Sequence, residues 1–389
     1  MRELSKREFL KLVCVGAGSC VFAAGRHAPL PGAFASLFDL PPAEGAGKWS
    51  KEALFYVSTP SGLQCLKCPH GCLLGDGETG RCRNRVNIRG KLYSTAYGNP
   101  CAVHIDPIEK KPLFHFLPST EAFSIAAAGC NLRCLNCQNW QISQVSPAET
   151  ENLDMMPDRV VEECARSGSA SIAYTYSEPV TFYEYVYDTA VLARARGIRN
   201  VFKSSGYINE APLRKLCSVI DAANIDLKSF DESVYVRLNS ARLDPVKQTL
   251  KVLKEEGVWL EITNLVIPTW TDDMGMIGRM AEWLCSGGMQ DTPLHFSRFT
   301  PLYKLNQLPP TPVAVLENAR AVAMKAGLRY VYIGNVPGHE AENTYCPRCG
   351  VVAVERRGFA VLKMEIAGGK CRACGEKIPG IWTREKEHR

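Results

Sequence analysis

The sequence predicts an α/β chain: a partial (β/α) barrel of the TIM type, preceded by a four-cysteine module and followed by a four-cysteine ribbon. Two observations predict it. From residue 121 to about 336, apolar strand-like runs alternate with helical patterns, as in a parallel sheet with crossover helices. The chain also has 17 cysteines in 389 residues, eleven of them in three tight groups. A chain this long does not need disulfides to fold, and repeated C-x2-C spacing suits metal better than cross-linking.

In chain order, residues 1–35 read as an export-type signal. "SKREFLK" is basic, Leu12 to Gly25 carries no charge, and an A-x-A site ends at Ala35. The string is similar to a twin-arginine signal, with Lys6 where the first arginine stands. The plainer alternative is an amphipathic helix. No later run reaches the length of a membrane span. Residues 36–120 form a linker (36–60) and a module holding Cys65, Cys68, Cys72 and Cys82, spaced C-x2-C-x3-C-x9-C. A "DGETG" turn lets the chain double back, so four thiolates can close around zinc or a complete iron–sulfur cluster; spacing does not separate these. His70, after a proline inside the knuckle, is expected to be exposed.

The barrel core, 121–336, contains seven strand-like runs: "AFSIAAA", "ASIAYTY", "RNVFKSS", "AANIDLK", "VWLEITNLVI", "PLHFSRF" and "LRYVYIG". Helix ends are readable between them. "LDPVKQTLKVLKEEG" places Asp244 as N-cap, Pro245 at the first helical position and Gly257 past the end; Thr311, Pro312 and Gly327 repeat the pattern. Six β-to-α steps favour a barrel or partial barrel over an open sheet. Sites in such folds gather at the C-terminal strand ends. Cys130, Cys134 and Cys137 (C-x3-C-x2-C) directly follow the first strand; the spacing reads as chance, as a zinc site with its fourth ligand elsewhere, or as an open site, since three thiolates on a four-iron cluster would leave one iron open. Residues 337–389 carry Cys346, Cys349, Cys371 and Cys374 in two knuckles around a strand-like stretch. They predict a zinc-ribbon/rubredoxin-like module, with zinc ahead of a single iron.

Other polar residues fall near strand ends. Glu178 in "YTYSEP" suits either an ammonium partner or a helix N-cap. Asp226 and Lys228 share one strand face, as ligand contacts or as a mutual ion pair. "KSSG" (203–206), Asn264, His295 and Arg298 are further lining candidates, with an ordinary structural role ahead for each. Lys110, Lys111 and His115 in "DPIEKKPLFHF" read as cofactor or substrate contacts or as a lysine-edged hairpin, the hairpin slightly favoured.

The three-cysteine motif after the first strand resembles the radical S-adenosylmethionine (SAM) superfamily. That resemblance implies a 4Fe–4S cluster on Cys130, Cys134 and Cys137, with the amino and carboxylate groups of SAM on its open iron. It further implies reductive cleavage of SAM to a 5′-deoxyadenosyl radical that abstracts hydrogen from a substrate. Asn136 stands where many members have an aromatic residue. By the same resemblance Glu178 binds the amino group of SAM, although Tyr176 and Ser177 replace two glycines, and Asp226 and Lys228 lie beside the cofactor. "DPIEKKPLFHFLP", "AGCNLRCLNCQNWQIS", "YTYSEP", "IDLKSF" and "ERRGF…GGKCRACGEKIPG", in this order, resemble the radical SAM member of the AmmeMemoRadiSam system, related to pyruvate formate-lyase activating enzymes. Memo-like and AMMECR-like proteins and a reductant protein are the partners this implies; the substrate is left open. A glycyl-radical activase is one narrower alternative. An iron–sulfur electron carrier or assembly protein is another.

The formal charge of +6 falls to +3 without residues 1–35, which hold five basic and two acidic side chains, and metal-bound thiolates lower it further. No nucleic-acid partner is therefore expected. On localisation the signal points to export, whereas SAM and low-potential electrons are cytoplasmic supplies.

Overall fold

The computed structural model describes residues 46–383. The expected signal segment lies outside them. The centre is an eight-stranded sheet: β7 (Ala102–Pro107), β8 (Glu121–Ala126), β9 (Ser171–Tyr174), β10 (Arg199–Ser204), β11 (Ala222–Asp226), β12 (Trp259–Val266), β13 (Leu294–Arg298) and β14 (Val331–Gly334). Strands β8 to β14 pair in parallel with their sequence neighbours, while β7 runs antiparallel to β8. β7 and β14 are the two edges, so the barrel is partial, as expected. The seven parallel strands are the seven runs legible in the sequence.

Between them run α1 (Pro157–Ser167), α2 (Tyr183–Ala195), α3 (Glu210–Cys217), α4 (Leu243–Glu255), α5 (Met274–Ser286) and α6 (Val313–Lys325). The outward strand residues Ile172, Phe202, Ile225, Ile262, Phe296 and Ile333 pack with helix residues such as Val160, Leu213, Leu250, Met280 and Leu316 in one buried cluster. Two cap expectations are corrected. α4 starts two residues earlier, so Asp244 lies inside the first turn and Arg242 takes the N-cap position without a side-chain cap. Thr311 precedes the Pro312 cap of α6, and its hydroxyl donates to Val266 O at 2.6 Å, tying the helix entry to β12. Gly257 and Gly327 do follow their helices at positive φ.

The expected linker 36–60 is not wholly irregular. β1 (Lys51–Glu52) pairs with β6 (Lys91–Ser94), which pairs with β5 (Arg85–Ile88); β2 (Tyr56–Thr59) pairs with β3 (Gly62–Cys65), and β3 with β4 (Leu73–Leu74). These strands are too short to show a period of their own and depend on partners distant in sequence. At the other end, β15 (Thr344–Tyr345), β16 (Val352–Arg357) and β17 (Ala360–Met364) form the ribbon hairpin, beside the pair β18 (Ile366–Ala367) and β19 (Lys370–Cys371).

"KKPLFHF" is not a surface hairpin. It crosses the N-terminal end of the barrel lumen and closes it. Glu261 on β12 accepts from Phe114 N at 2.9 Å and His115 N at 2.8 Å, and Asn224 Nδ2 donates to Pro112 O at 2.6 Å. The ribbon clamps this floor, because Arg356 donates to Phe114 O at 2.7 Å and His115 bridges Tyr332 Oη (2.6 Å) and Pro379 O (2.7 Å). Each charged floor residue has a partner, which is what makes its burial tolerable.

Candidate functional site

With the floor closed, the lumen opens toward the C-terminal strand ends, where the chain places its sulfur loop. The loop after β8 is held from three sides. Asn84 Nδ2 donates to Ala128 O at 3.1 Å, Asn131 Nδ2 to Tyr207 O at 2.8 Å, and Arg133 N and Leu135 N to Asn239 O and Leu238 O at 2.9 Å each. Gly129 is required: its φ is +102°, and a Cβ there would lie 2.5 Å from Cys82 O. Within the loop Leu132 N donates to Cys130 Sγ at 3.3 Å, and Asn239 Nδ2 donates to Cys134 Sγ at 3.2 Å. Asn239, a donor the sequence reading missed, belongs to the π-turn Tyr235–Asn239, and no motif marked it. Burial pushes the Cys130 thiol well up, with Glu178 adding to the rise; burial also raises Cys134, against Lys228.

Glu178 is buried beside this loop at the end of β9. Its Oε1 accepts from Ser204 Oγ (2.6 Å) and Val180 N (3.2 Å), and its Oε2 from Ser205 N (2.9 Å) and Ser205 Oγ (2.6 Å). The serines of "KSSG" are therefore its cradle rather than independent lining groups. Ser177 Oγ donates to Ala127 O at 2.6 Å, docking the second-strand motif onto the first-strand loop. Tyr176, the residue replacing a glycine, sits at φ +63°, a strained setting for an aromatic residue.

Asp226 and Lys228 pair at 3.0 Å, and Lys203 also pairs with Asp226 and reaches Asn224 Oδ1 at 2.6 Å. Burial works to raise the Asp226 carboxyl, but the two lysines hold it down at about 2. Lys228 is held above the ordinary lysine range by Asp226 and the Cys134 thiol, against its burial. Lower in the lumen, Asp106 on β7 binds Lys111 Nζ at 2.5 Å, Lys110 Nζ at 2.7 Å and the Tyr176 hydroxyl. Burial lowers Lys111 to about 8. His104 meets the Tyr176 ring edge-on, with centroids 5.5 Å apart. His104 and Asp106 were also missed; their i, i+2 spacing in "HID" was the available signal.

Several lining candidates lie elsewhere. Asn264 faces away from the lumen, donating to Leu227 O and buried near Met280. His295 pairs with Glu261 at 2.7 Å in the floor, and His115 is buried there too. Arg298 donates to Thr311 O. His70 is half-buried and bonds Asn131 O at 2.7 Å, because the first module packs on the sulfur loop.

The two four-cysteine groups differ in geometry. Among the described residues, only Cys346, Cys349, Cys371 and Cys374 bring three or more such ligand atoms within 4.8 Å of one another. Their Cys346–Cys374 and Cys349–Cys371 sulfur separations are 3.6 and 3.9 Å. A tetrahedral metal with bonds of about 2.3 Å sets its sulfurs about 3.8 Å apart, so this donor set fits one ion. The sulfurs of the central three do not all come within 4.8 Å of one another in this way.

The Radical SAM superfamily profile matches residues 124–281, from β8 into α5. An uncharacterized protein of Methanocaldococcus jannaschii is 46% identical over 331 residues, covering 84% of this chain and 98% of that one. The chain belongs to the radical SAM superfamily. It is related to pyruvate formate-lyase activating enzymes: the Escherichia coli K12 pyruvate formate-lyase 1-activating enzyme is 23% identical over 161 residues, 40% of this chain and 65% of that one. A domain of such an enzyme from Bacteroides vulgatus aligns in structure with a TM-score of 0.38 at 17% identity, over 43% of this chain and 100% of that one. In this radical SAM chain the matched stretch spans the sulfur loop, Glu178 and the Asp226–Lys228 pair.

Proposed function

We propose that the chain binds a 4Fe–4S cluster through Cys130, Cys134 and Cys137, binds SAM at the open iron, and uses it to take hydrogen from a substrate held in the lumen. The observation that carries this reading is the shared position of the three-cysteine loop, Glu178 and the Lys203–Asp226–Lys228 network at the open end of a barrel plugged at its other end. When bound, the cluster and SAM supply the one-electron cleavage that generates the 5′-deoxyadenosyl radical. The chain supplies binding, orientation and exclusion of water. Asn239 and the Leu132 amide aim N–H groups at sulfur, which stabilises thiolates and tunes their potential. Glu178, fixed by two serines, offers a carboxylate to the SAM ammonium. Lys203 and Lys228 present positive charge suited to a carboxylate, with Asp226 orienting both. The floor keeps water from the far side of a reactive radical.

His104, Asp106, Lys111 and Tyr176 would face the substrate, which favours a polar or anionic group there. Similarity to pyruvate formate-lyase activating enzymes keeps a glycyl-radical protein loop as one substrate class. Memo-like and AMMECR-like proteins stand as proposed partners alongside a reductant protein. At the C-terminal ribbon the short sulfur separations support one tetrahedral ion, zinc or a single iron.

Anaerobically reconstituted protein, reduced in the presence of SAM, is expected to release 5′-deoxyadenosine. Cys134→Ala is expected to abolish release while the C-terminal ribbon keeps its metal. A fully assembled cluster that gives no 5′-deoxyadenosine under any reducing condition would move the reading to an electron carrier.

A further inference from the structure

Cys65, Cys68, Cys72 and Cys82 line one cavity, walled also by Lys67, His70, Arg85, Asn131 and Thr181. Their sulfurs do not gather within 4.8 Å, unlike those of the C-terminal ribbon in the same structure. A zinc ion would need sulfurs about 3.8 Å apart. A cubane places an iron behind each thiolate and so holds its four sulfurs farther apart around a larger body.

Charge points the same way. Lys67 and Arg85, each 2% exposed, both reach into the cavity wall, yet they share a single buried carboxylate, Glu184, at 3.0 and 2.7 Å. Two cationic side chains thus share one buried carboxylate, an arrangement that attracts an anion into the cavity. A tetrathiolate cluster is such an anion. The cavity also adjoins the first sulfur loop: Cys82 O abuts Gly129, His70 bonds Asn131 O, and Arg133 donates to Arg81 O.

We propose that Cys65, Cys68, Cys72 and Cys82 hold a closed 4Fe–4S cluster, a second redox centre set against the loop that carries Cys130. With four protein thiolates it has no open iron and does not take SAM. Its chemistry is one-electron exchange: an electron enters from a low-potential protein donor and leaves to the neighbouring centre, with no bond made or broken. That last step rests on the cluster proposed for Cys130, Cys134 and Cys137; the second cluster itself does not.

The test uses the full chain, reconstituted anaerobically, as wild type and as Cys130→Ala/Cys134→Ala/Cys137→Ala. The triple variant is expected to retain iron and acid-labile sulfide in cubane proportion. Its reduced state is expected to give an electron paramagnetic resonance signal that SAM leaves unchanged. In wild type this signal should be accompanied by a SAM-sensitive one, both broadened by mutual coupling and each sharpened when the other site is removed. The complementary Cys72→Ala/Cys82→Ala variant should keep only the SAM-sensitive signal. Zinc or sulfide-free iron at this site in the triple variant overturns the proposal. Should a variant fail to fold, Mössbauer spectra of wild type decide: two cubane populations support the second cluster, and one refutes it. A SAM-insensitive cubane without a SAM-sensitive partner would instead remove the reading of the central loop and leave this one standing.

Discussion

Glu184→Gln is the sharpest probe of the buried charge beside the first cysteine module. Glu184 Oε1 accepts from Lys67 Nζ at 3.0 Å and Leu54 N at 2.8 Å, and its Oε2 accepts from Arg85 at 2.7 Å. Lys67 also lies 3.5 Å from the centre of the Tyr183 ring, and burial lowers its pKa to about 7 although Glu184 works to raise it. Removing the one carboxylate lets Lys67 lose its proton and leaves Arg85 a buried cation with no carboxylate beside it. Breaking a buried ion pair in this way costs about 3–5 kcal/mol. At about 2 °C per kcal/mol, suited to a chain of this size, the melting midpoint of metal-free protein should fall by roughly 6–10 °C. With the proposed cluster in place the cations regain an anion, so the fall should shrink by about half or more. The assay is paired thermal unfolding of metal-free and anaerobically reconstituted protein, wild type against variant. Equal losses in both states, or no loss in the metal-free protein, would refute the reasoning.

Three further outcomes are expected. Gly129→Ala drives a methyl into Cys82 O and forces an unfavourable φ, so it should lower the iron content of the Cys130 loop and disturb the neighbouring cysteine group; unchanged metal content would contradict that packing. Glu178→Gln should leave cluster assembly intact but weaken SAM binding by about 10–100-fold, read by equilibrium dialysis, because a charge-assisted contact of about 1.5–3 kcal/mol is lost. His115, whose pKa burial lowers to about 4, stays neutral in the folded chain, whereas an unfolded histidine takes up a proton below about 6.5. The unfolded state therefore binds more protons between those values, and stability falls as pH drops from 6.5 to 4, by about 3 kcal/mol from this residue. His115→Asn should flatten that slope even if it lowers stability overall, and an unchanged slope would exclude His115 as its source.

The parallel sheet was legible because buried strands such as "SIAY" read as short runs of mostly apolar residues, and because Gly257 and Gly327 punctuate the helix ends. The three-cysteine loop was legible because ligand spacing is local in the chain. Residues whose roles depend on distant partners were not legible. Lys111 sits in a lysine-rich turn that reads as surface, and it is buried only because Asp106 and Tyr176 wait inside the lumen. His115 and His295 looked like pocket groups, yet they serve a floor assembled from β12, β13, β14 and the C-terminal ribbon. Asn239 gave no signal at all, since its contact with Cys134 spans 105 residues and depends on a π-turn.

The lumen itself argues for chemistry over packing. A closed TIM barrel fills its interior with layers of branched aliphatic side chains. Here the inward positions of neighbouring strands instead hold Asp106, Lys203, Asn224, Asp226, Glu261, Thr263 and His295, and the apolar filling is the floor residues Leu113 and Phe116 packed on the small strand residues Ala122, Ala173, Val201 and Ala222. The floor excludes water from below, so these charges rely on one another. Lys203 joins Asp226 to Asn224, Asn224 accepts from Thr263, and Asp226 ties in Lys228 beside Cys134. A network of this kind contributes little to stability compared with an aliphatic core of the same volume. Its value lies in holding charged groups at fixed positions around an open space, which is what a bound cation such as the SAM sulfonium, with its ammonium and carboxylate, requires.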